Sequence, residues 1–336
     1  MRALNVTLER RQSAWRQVLV PLAVTLVALA LPGVALSYLG LPGAASSVGL
    51  SGLAAVIATY VLGWRIGLGV VATFALGTPA CLLASEHWLG ASVLLAAVGF
   101  AYGMTATRGW ERGLTLVPIA FGFAVADPPP TALGIANLAA ITTVSVAVAL
   151  LAVVVVHIIT RGHHLGIHGQ VPRLRGIGYA CMLAIAGAFT TAIAVHGSWL
   201  HAGGWLIMTP VIVLQPDLKE ALHKSLKRGL GTIAGVAIAF VLANLVTNDW
   251  TAYAIGIGAA LLALYALERR WDYAAYATAL TVAIVFIEGA GTSISQTSEL
   301  RLAATVLGVV ICLAVMAVAN PIYVRADRRA RETAEA

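Results

Sequence analysis

Residues 205–235 read WLIMTPVIVLQPDLKEALHKSLKRGLGTIAG. The opening apolar run, 205–214, would rise only about 15 Å as a helix, half the hydrocarbon core of a bilayer. Gln215-Pro216 stops it, because a proline disfavours helix in the residue before it and has no N–H to donate. Asp217 and the bases Lys219, Lys224, Lys227 and Arg228 follow, and the chain is apolar again over 230–246. A short apolar helix, a break, a basic stretch and a second apolar helix are the parts of a multi-pass membrane protein. Composition agrees: of 336 residues, 60% are hydrophobic and only 10% charged, against about 45–50% and about 25% in a soluble domain. A chain with mean hydropathy +0.90 cannot cover a water-exposed surface with polar side chains.

Working outward, apolar runs at 18–39, 50–62, 66–84, 89–105, 114–126 and 132–159 precede a polar bridge at 160–176. Six more follow it, at 177–195, 205–214, 230–246, 252–267, 273–287 and 302–319. The expected fold class is an all-α membrane protein with twelve transmembrane helices. With both termini and the even-numbered connections on one side, that side receives every Lys and Arg except Arg301, a split of 20 to 1. By the positive-inside rule both termini are then cytoplasmic. The basic N-terminal segment has no small-x-small cleavage site and reads as retained. The net charge of +7 is thus a topology signal and not a nucleic-acid surface. Cys81, Cys181 and Cys312 sit singly in apolar runs, which argues against a disulfide framework or zinc site. His163, His164 and His168 crowd the bridge, read as a polar linker and not as a metal site. The Gly-x-x-x-x-Gly-Lys, HExxH and Gly-x-Ser-x-Gly patterns are missing, so neither an enzyme nor an ATP-driven pump is expected, and no cofactor.

The halves echo one another. His87-Trp88 matches Asp249-Trp250, Trp110-Glu111 matches Trp271-Asp272, Asp127 matches Glu288 and Arg65 matches Arg228, at offsets of 161 to 163 residues. An even number of spans per half makes the repeats parallel, related by a pseudo-twofold along the membrane normal. The expected organisation is a first six-helix repeat at 1–160, a cytoplasmic linker at 161–176, a second repeat at 177–320 and a cytoplasmic tail at 321–336.

Short, Pro-interrupted segments at matching places in two repeats point to a transport site. The second span of each half qualifies, and each runs into a helix carrying Arg65 or Arg228. Those two arginines are the candidate substrate-binding bases, with Thr209 and Gln215 as hydrogen-bonding partners and Pro210 and Pro216 as helix breaks. Asp217, near Lys227-Arg228, is a candidate for proton coupling. Asp127 and Glu288, closing equivalent spans, are candidates for the same role or for an outer vestibule. Arg301 reads as an outer base in a local ion pair with Glu299 or Glu288. Trp88, Trp110, Trp250 and Trp271 fall at span ends, where aromatic belts place Trp. Gly67, Gly69, Gly229, Gly231 and Gly235 suit close helix packing.

The segment Trp205, Thr209, Val213, Gln215-Pro216, followed by Arg228, Gly231 and Thr232, resembles the fusaric acid resistance (FUSC-type) integral membrane family, which includes aromatic carboxylic acid exporters. The resemblance implies a bacterial inner-membrane transporter exporting small organic anions such as aromatic carboxylic acids, driven by the proton gradient. The partners implied are the organic anion and the lipid bilayer, with no nucleic acid; a periplasmic adaptor or a second copy of the chain stays open. The first half departs from the motif, since residues 58–65 have no Gln-Pro. Exporters of this family often carry sizeable cytoplasmic domains, for which the bridge at 160–176 and the segment 320–336 are short. A passive organic-anion channel and a non-transporting membrane scaffold are the alternatives. A major facilitator is disfavoured, because the basic Gly-x-x-x-Asp-Arg loop is not found after the second span.

Overall fold

The structure is a computed structural model that describes residues 34–41, 44–128, 134–162, 166, 169–244, 246, 248–269, 271–289 and 293–335. The run 18–39 lies mostly outside the described residues, as do Arg2, Arg10, Arg11, Arg16, Arg270, His163, His164 and His168. Eleven helices cover the other eleven apolar runs: α1 (Ala45–Leu62), α2 (Trp64–Ala84), α3 (Trp88–Met104), α4 (Leu116–Ala126), α5 (Ile135–Thr160), α6 (Arg173–His196), α7 (Leu200–Val213), α8 (Leu218–Ala243), α9 (Asp249–Glu268), α10 (Tyr273–Gly289) and α11 (Ile294–Glu335). A 3₁₀ turn at Thr105–Arg108 and a single helical turn at Glu111–Leu114 join α3 to α4. No strand occurs among the described residues. Lipid offers no hydrogen bonds to a backbone, so apolar runs of this kind satisfy their own amides as helices.

Among the described residues six helices are long and apolar enough to cross a membrane, at Trp64–Ala84, Trp88–Arg108, Ile135–Thr160, Arg173–His196, Leu218–Ala243 and Ile294–Ala319. The remaining apolar helices are shorter. At 14 residues α7 reaches about 21 Å, and α4 is shorter still. Both lie buried among other helices, and residues 118–126 of α4 are buried throughout.

The halves meet where α3 packs along α6 and α4 along α7. Within them some pairings recur: α1 on α5 as α7 on α11, α2 on α5 as α8 on α11, and α2 on α4 as α8 on α10. Three of the four echoed pairs fall near helix ends. Trp88 and Trp250 are the first and second residues of α3 and α9, Trp110 and Trp271 stand one and two residues before helical segments, and Asp127 and Glu288 stand at the ends of α4 and α10.

The fourth pair differs. Gly63 alone separates α1 from α2, in a backbone conformation (φ 94°, ψ 163°) that side chains disfavour and glycine tolerates. Arg65 is therefore the second residue of α2, whereas Arg228 lies ten residues after the start of α8 at Leu218, about 15 Å further along its helix. In the second half the chain leaves the helix from Leu214 to Asp217, so Gln215-Pro216 marks a real break. Pro210 does not break its helix: α7 runs through it to Val213, and the Leu214 amide still donates to the Pro210 carbonyl. A proline removes only its own N–H, and with one turn left the helix closes without it.

Small residues set how closely α8 meets α10. A methyl group on Gly231 would stand 2.6 Å from the Ala274 carbonyl oxygen and 2.8 Å from Ala277 Cβ; one on Gly235 would stand 2.6 Å from Thr281 Cβ. Gly67 likewise packs on Thr59 and Val153, while Gly69 and Gly229 face open space. Only Gly67, Gly231 and Gly235 of the five glycines singled out are thus close-packing positions. Gly231→Val should push α8 off α10 and destabilise the protein by about 1–3 kcal/mol, seen as a lower melting temperature in detergent. Gly229→Val, on the open side of the same helix, should leave it nearly unchanged.

Candidate functional site

Two features of α8 meet at one place. Its first turns are polar, and Lys224 and Arg228, one turn apart, both turn toward α10. Lys224 Nζ lies 5.6 Å from the ring centre of Tyr273, and Tyr276 follows Tyr273 by one turn. Gly231 and Gly235 bring the helices close enough to bury this edge. Arg228 is 1% exposed; its three guanidinium nitrogens make no hydrogen bond of ordinary geometry, and the Tyr273 hydroxyl, which also has none, lies close enough to interact with it. An isolated buried guanidinium is costly, because the water it has lost is not replaced.

Arg228 stands in the wall of a cavity of about 890 Å³. Its mouth is at the end of the bundle that carries the basic loops, where Arg112, Arg175, Asp217, Glu220 and Trp271 are exposed. Inside are Tyr102, Tyr179, Tyr273 and Tyr276, with Ile57, Leu116, Ile119, Val211 and Ile212 as apolar lining. The charged lining comprises the bases Arg112, Arg175, Lys224 and Arg228 and the acids Glu111, Asp217 and Glu220. A basic rim over an aromatic, apolar interior attracts an anion and accommodates a flat apolar body.

The helix break borders the mouth, and its polar side chains are committed to it. Gln215 Nε2 donates to the carbonyls of Leu214 at 2.7 Å and Ile212 at 3.3 Å, closing the end of α7. Asp217 caps α8 by accepting the amides of Lys219 at 2.9 Å and Glu220 at 3.0 Å. The Tyr179 hydroxyl donates to the Leu214 carbonyl at 3.4 Å, tying α6 to the break. Asp272 caps α10 through the Ala274 amide and pairs with Lys227 of α8. That lysine beside it holds its carboxyl below the usual range.

Of the residues singled out from sequence, the cavity therefore gathers Arg228, Gln215, Pro216 and Asp217. The others lie elsewhere. Arg65 is exposed, its guanidinium 5.7 Å from the ring centre of Trp64. Thr209 is fully buried, donates to the Trp205 carbonyl at 2.9 Å and packs against Gly308 of α11; Pro210 follows it within α7. Asp127 and Glu288 are at the opposite end of the bundle, where Glu288 accepts the Trp205 indole N–H at 3.1 Å.

Arg301 is not an outer surface base. It is 1% exposed, its Cζ stands 3.9 Å from the ring centre of Trp205, and its three nitrogens make no hydrogen bond. The partner that holds it lies 96 positions away in the chain, which no local pattern reveals. Glu111 and the four tyrosines were also missed as site residues. The Trp110-Glu111 echo of Trp271-Asp272 marked the first of these only as a repeat signature.

Glu111 is half-buried in the cavity wall, and one of its carboxylate oxygens makes no hydrogen bond. Burial raises its pKa above the ordinary value, partly countered by a backbone hydrogen bond and by Arg112. A raised carboxyl pKa means the fold favours the protonated form. That contribution is complete below the unfolded pKa, about 4.3, and is lost as pH rises through the folded value. Glu111→Gln should thus melt like the wild type near pH 4 and at a higher temperature at pH 7. A melting difference constant from pH 4 to 8 would refute this.

Residues 185–315 match the family model described as fusaric acid resistance protein-like. No solved structure matches the chain. The matched region runs from within α6 into α11 and includes Trp205, Gln215-Pro216, Arg228 and Arg301. Through this region the chain, a multi-pass membrane protein, is similar to the fusaric acid resistance protein-like family.

Proposed function

We propose that this protein exports small aromatic carboxylates across the bacterial inner membrane and that Arg228 receives the carboxylate. The carrying observation is the Arg228 guanidinium, buried in the wall of an 890 Å³ cavity with no well-formed hydrogen bond to any of its donors. Guanidinium stays charged at any relevant pH and offers two parallel N–H donors to a carboxylate. An anion seated there supplies the hydrogen bonds that the protein withholds. The tyrosines and the apolar lining suit a ring better than they suit an inorganic ion. The volume falls within the range of small-molecule sites, about 300–1,000 Å³.

In this reading the chain crosses the membrane twelve times as two parallel repeats with both termini cytoplasmic, so the basic mouth opens to the cytoplasm. The second repeat carries the site, because only there does the arginine sit deep in its helix. Proton entry drives export. Glu111, a carboxyl in the same cavity whose burial favours its protonated form, suits the coupling step better than Asp217, whose carboxylate caps α8. A permanently open channel is disfavoured by the far side of the cavity: Leu206, Ile207 and Thr209 are fully buried there, and no residue of α11 lines the space.

Cells expressing Arg228→Gln should export benzoate about tenfold more slowly or worse, as expected for loss of a charge-assisted hydrogen-bonding partner. Arg228→Lys should recover part of the rate, keeping the charge and losing the fork. Arg65→Gln should export normally. Wild-type efflux by a correctly inserted Arg228→Gln protein would overturn the assignment.

A further inference from the structure

A second buried guanidinium lies beyond the cavity, and the proposed function does not use it. Arg301 enters from α11, seven residues from the start of that helix. One face rests on Trp205, with Cζ 3.9 Å from the ring centre. Stacking satisfies the flat face of a guanidinium, while its donors lie along the edge, in the plane, and here none of them is hydrogen-bonded. The Trp205 ring is itself held, since its N–H donates to Glu288 of α10 at 3.1 Å. Glu288 lies in electrostatic range of Arg301, yet its carboxylate does not hydrogen-bond the guanidinium. The arrangement is a positioned cation whose in-plane donors make no hydrogen bond.

Arg301 does not stand apart from the first site. Arg228 and Arg301 are near enough to repel one another, and Tyr276, which lines the cavity, feels both charges. The hydroxyls of Thr232, one turn beyond Arg228 on α8, and of Thr281 on α10 are buried and also lack hydrogen-bond partners. Unsatisfied buried donors are uncommon in native proteins. Here two arginines and two threonines carrying them fall on the shared interface of α8, α10 and α11. Two unpaired cations in one apolar interior are each destabilised by the other, and an anion beside either relieves both.

We infer that Arg301, stacked on Trp205, is a second carboxylate station, to which the anion passes from Arg228 before it leaves past Glu288. This rests on the proposed function, because it presumes that an anion reaches Arg228. Binding is bidentate to the edge of the guanidinium, with the aromatic body of the anion in the space that Tyr276 borders. Glu288 repels the departing carboxylate, and its hold on Trp205 keeps the second station in shape.

The test uses the full chain, purified in detergent and reconstituted in liposomes, with benzoate as probe and Arg301→Met as the principal variant. Removing an unpaired buried cation should leave the melting temperature in anion-poor buffer equal or higher. Arg301→Met should still bind benzoate through Arg228, and its benzoate flux should fall about tenfold or more. Arg301→Lys should restore part of the flux. Wild-type flux in Arg301→Met, with flux lost in Arg228→Gln, would overturn the second station and leave the first intact. Normal flux in both variants would overturn both. A large fall in melting temperature for Arg301→Met, with Arg301→Lys folding and transporting like the wild type, would make Arg301 a structural stack on Trp205 and also overturn the proposal.

Discussion

The packing of the second half turns on the burial of a permanent charge. An arginine at the centre of a bilayer costs about 2.5–3.5 kcal/mol on insertion scales, and Arg228 has no carboxylate partner to offset it. Three local features make its position sustainable. The break at Leu214–Asp217 ends α7 early and opens a polar space. The ten residues of α8 before Arg228 carry its guanidinium past the mouth into the buried interior. Gly231 and Gly235 then draw α10 in, so that Tyr273 and Tyr276 cover the charge with aromatic rings instead of acyl chains. Each is a sequence feature with a packing consequence, and together they bury a cation in the wall of an aromatic-lined cavity.

The division of labour around the break follows from hydrogen-bond supply. A helix end within a membrane leaves carbonyls and amides that lipid cannot satisfy. Gln215 and Tyr179 serve the carbonyls of α7, and Asp217 serves the amides of α8. With those groups occupied by the backbone, Arg228 is left as the uncommitted strong donor at the inner end of the cavity. The Gln-Pro-Asp sequence therefore acts on function indirectly, by keeping a non-helical turn stable enough to border the site.

The helices were legible because apolar length is a local property: eleven runs read from hydropathy became eleven helices, and the Gln215-Pro216 break came from proline chemistry alone. Depth was not legible. The match of Arg65 to Arg228 held in sequence offset, but α2 starts one residue before its arginine and α8 starts ten residues before its own, so one side chain reaches solvent and the other the interior. Pro210 misled because a proline signals a break only when turns enough remain beyond it to be disrupted. Arg301 was misread because Glu299 and Glu288 are near it in the chain, whereas its partner in space is Trp205. Long-range aromatic stacking leaves no trace in local spacing. The same holds for the tyrosines, which as scattered residues look like ordinary interfacial aromatics until α6 and α10 set them around one space.

The closed side of the cavity bears on how an anion could cross. Thr209 lies against Gly308 so tightly that a methyl group on the glycine would sit 2.7 Å from Thr209 Cβ, and Trp205, four residues earlier on α7, covers Arg301. In the proposed export, passage beyond the cavity takes α7 away from α11. Among the helices around the site α7 is the one built for this. It is shorter than the bilayer core, one of its ends is a non-helical turn instead of a continuous helix, and it packs on α4 of the first half as well as on α6 and α11 of its own. In the proposed export, a shift of α7 with α4 of the first half parts Thr209 from Gly308 and slides Trp205 across Arg301, uncovering the second guanidinium as the first is covered. In the proposed mechanism the first half, which lacks a buried arginine in α2, then has a mechanical role: it is the body against which the half carrying Arg228 and Arg301 moves.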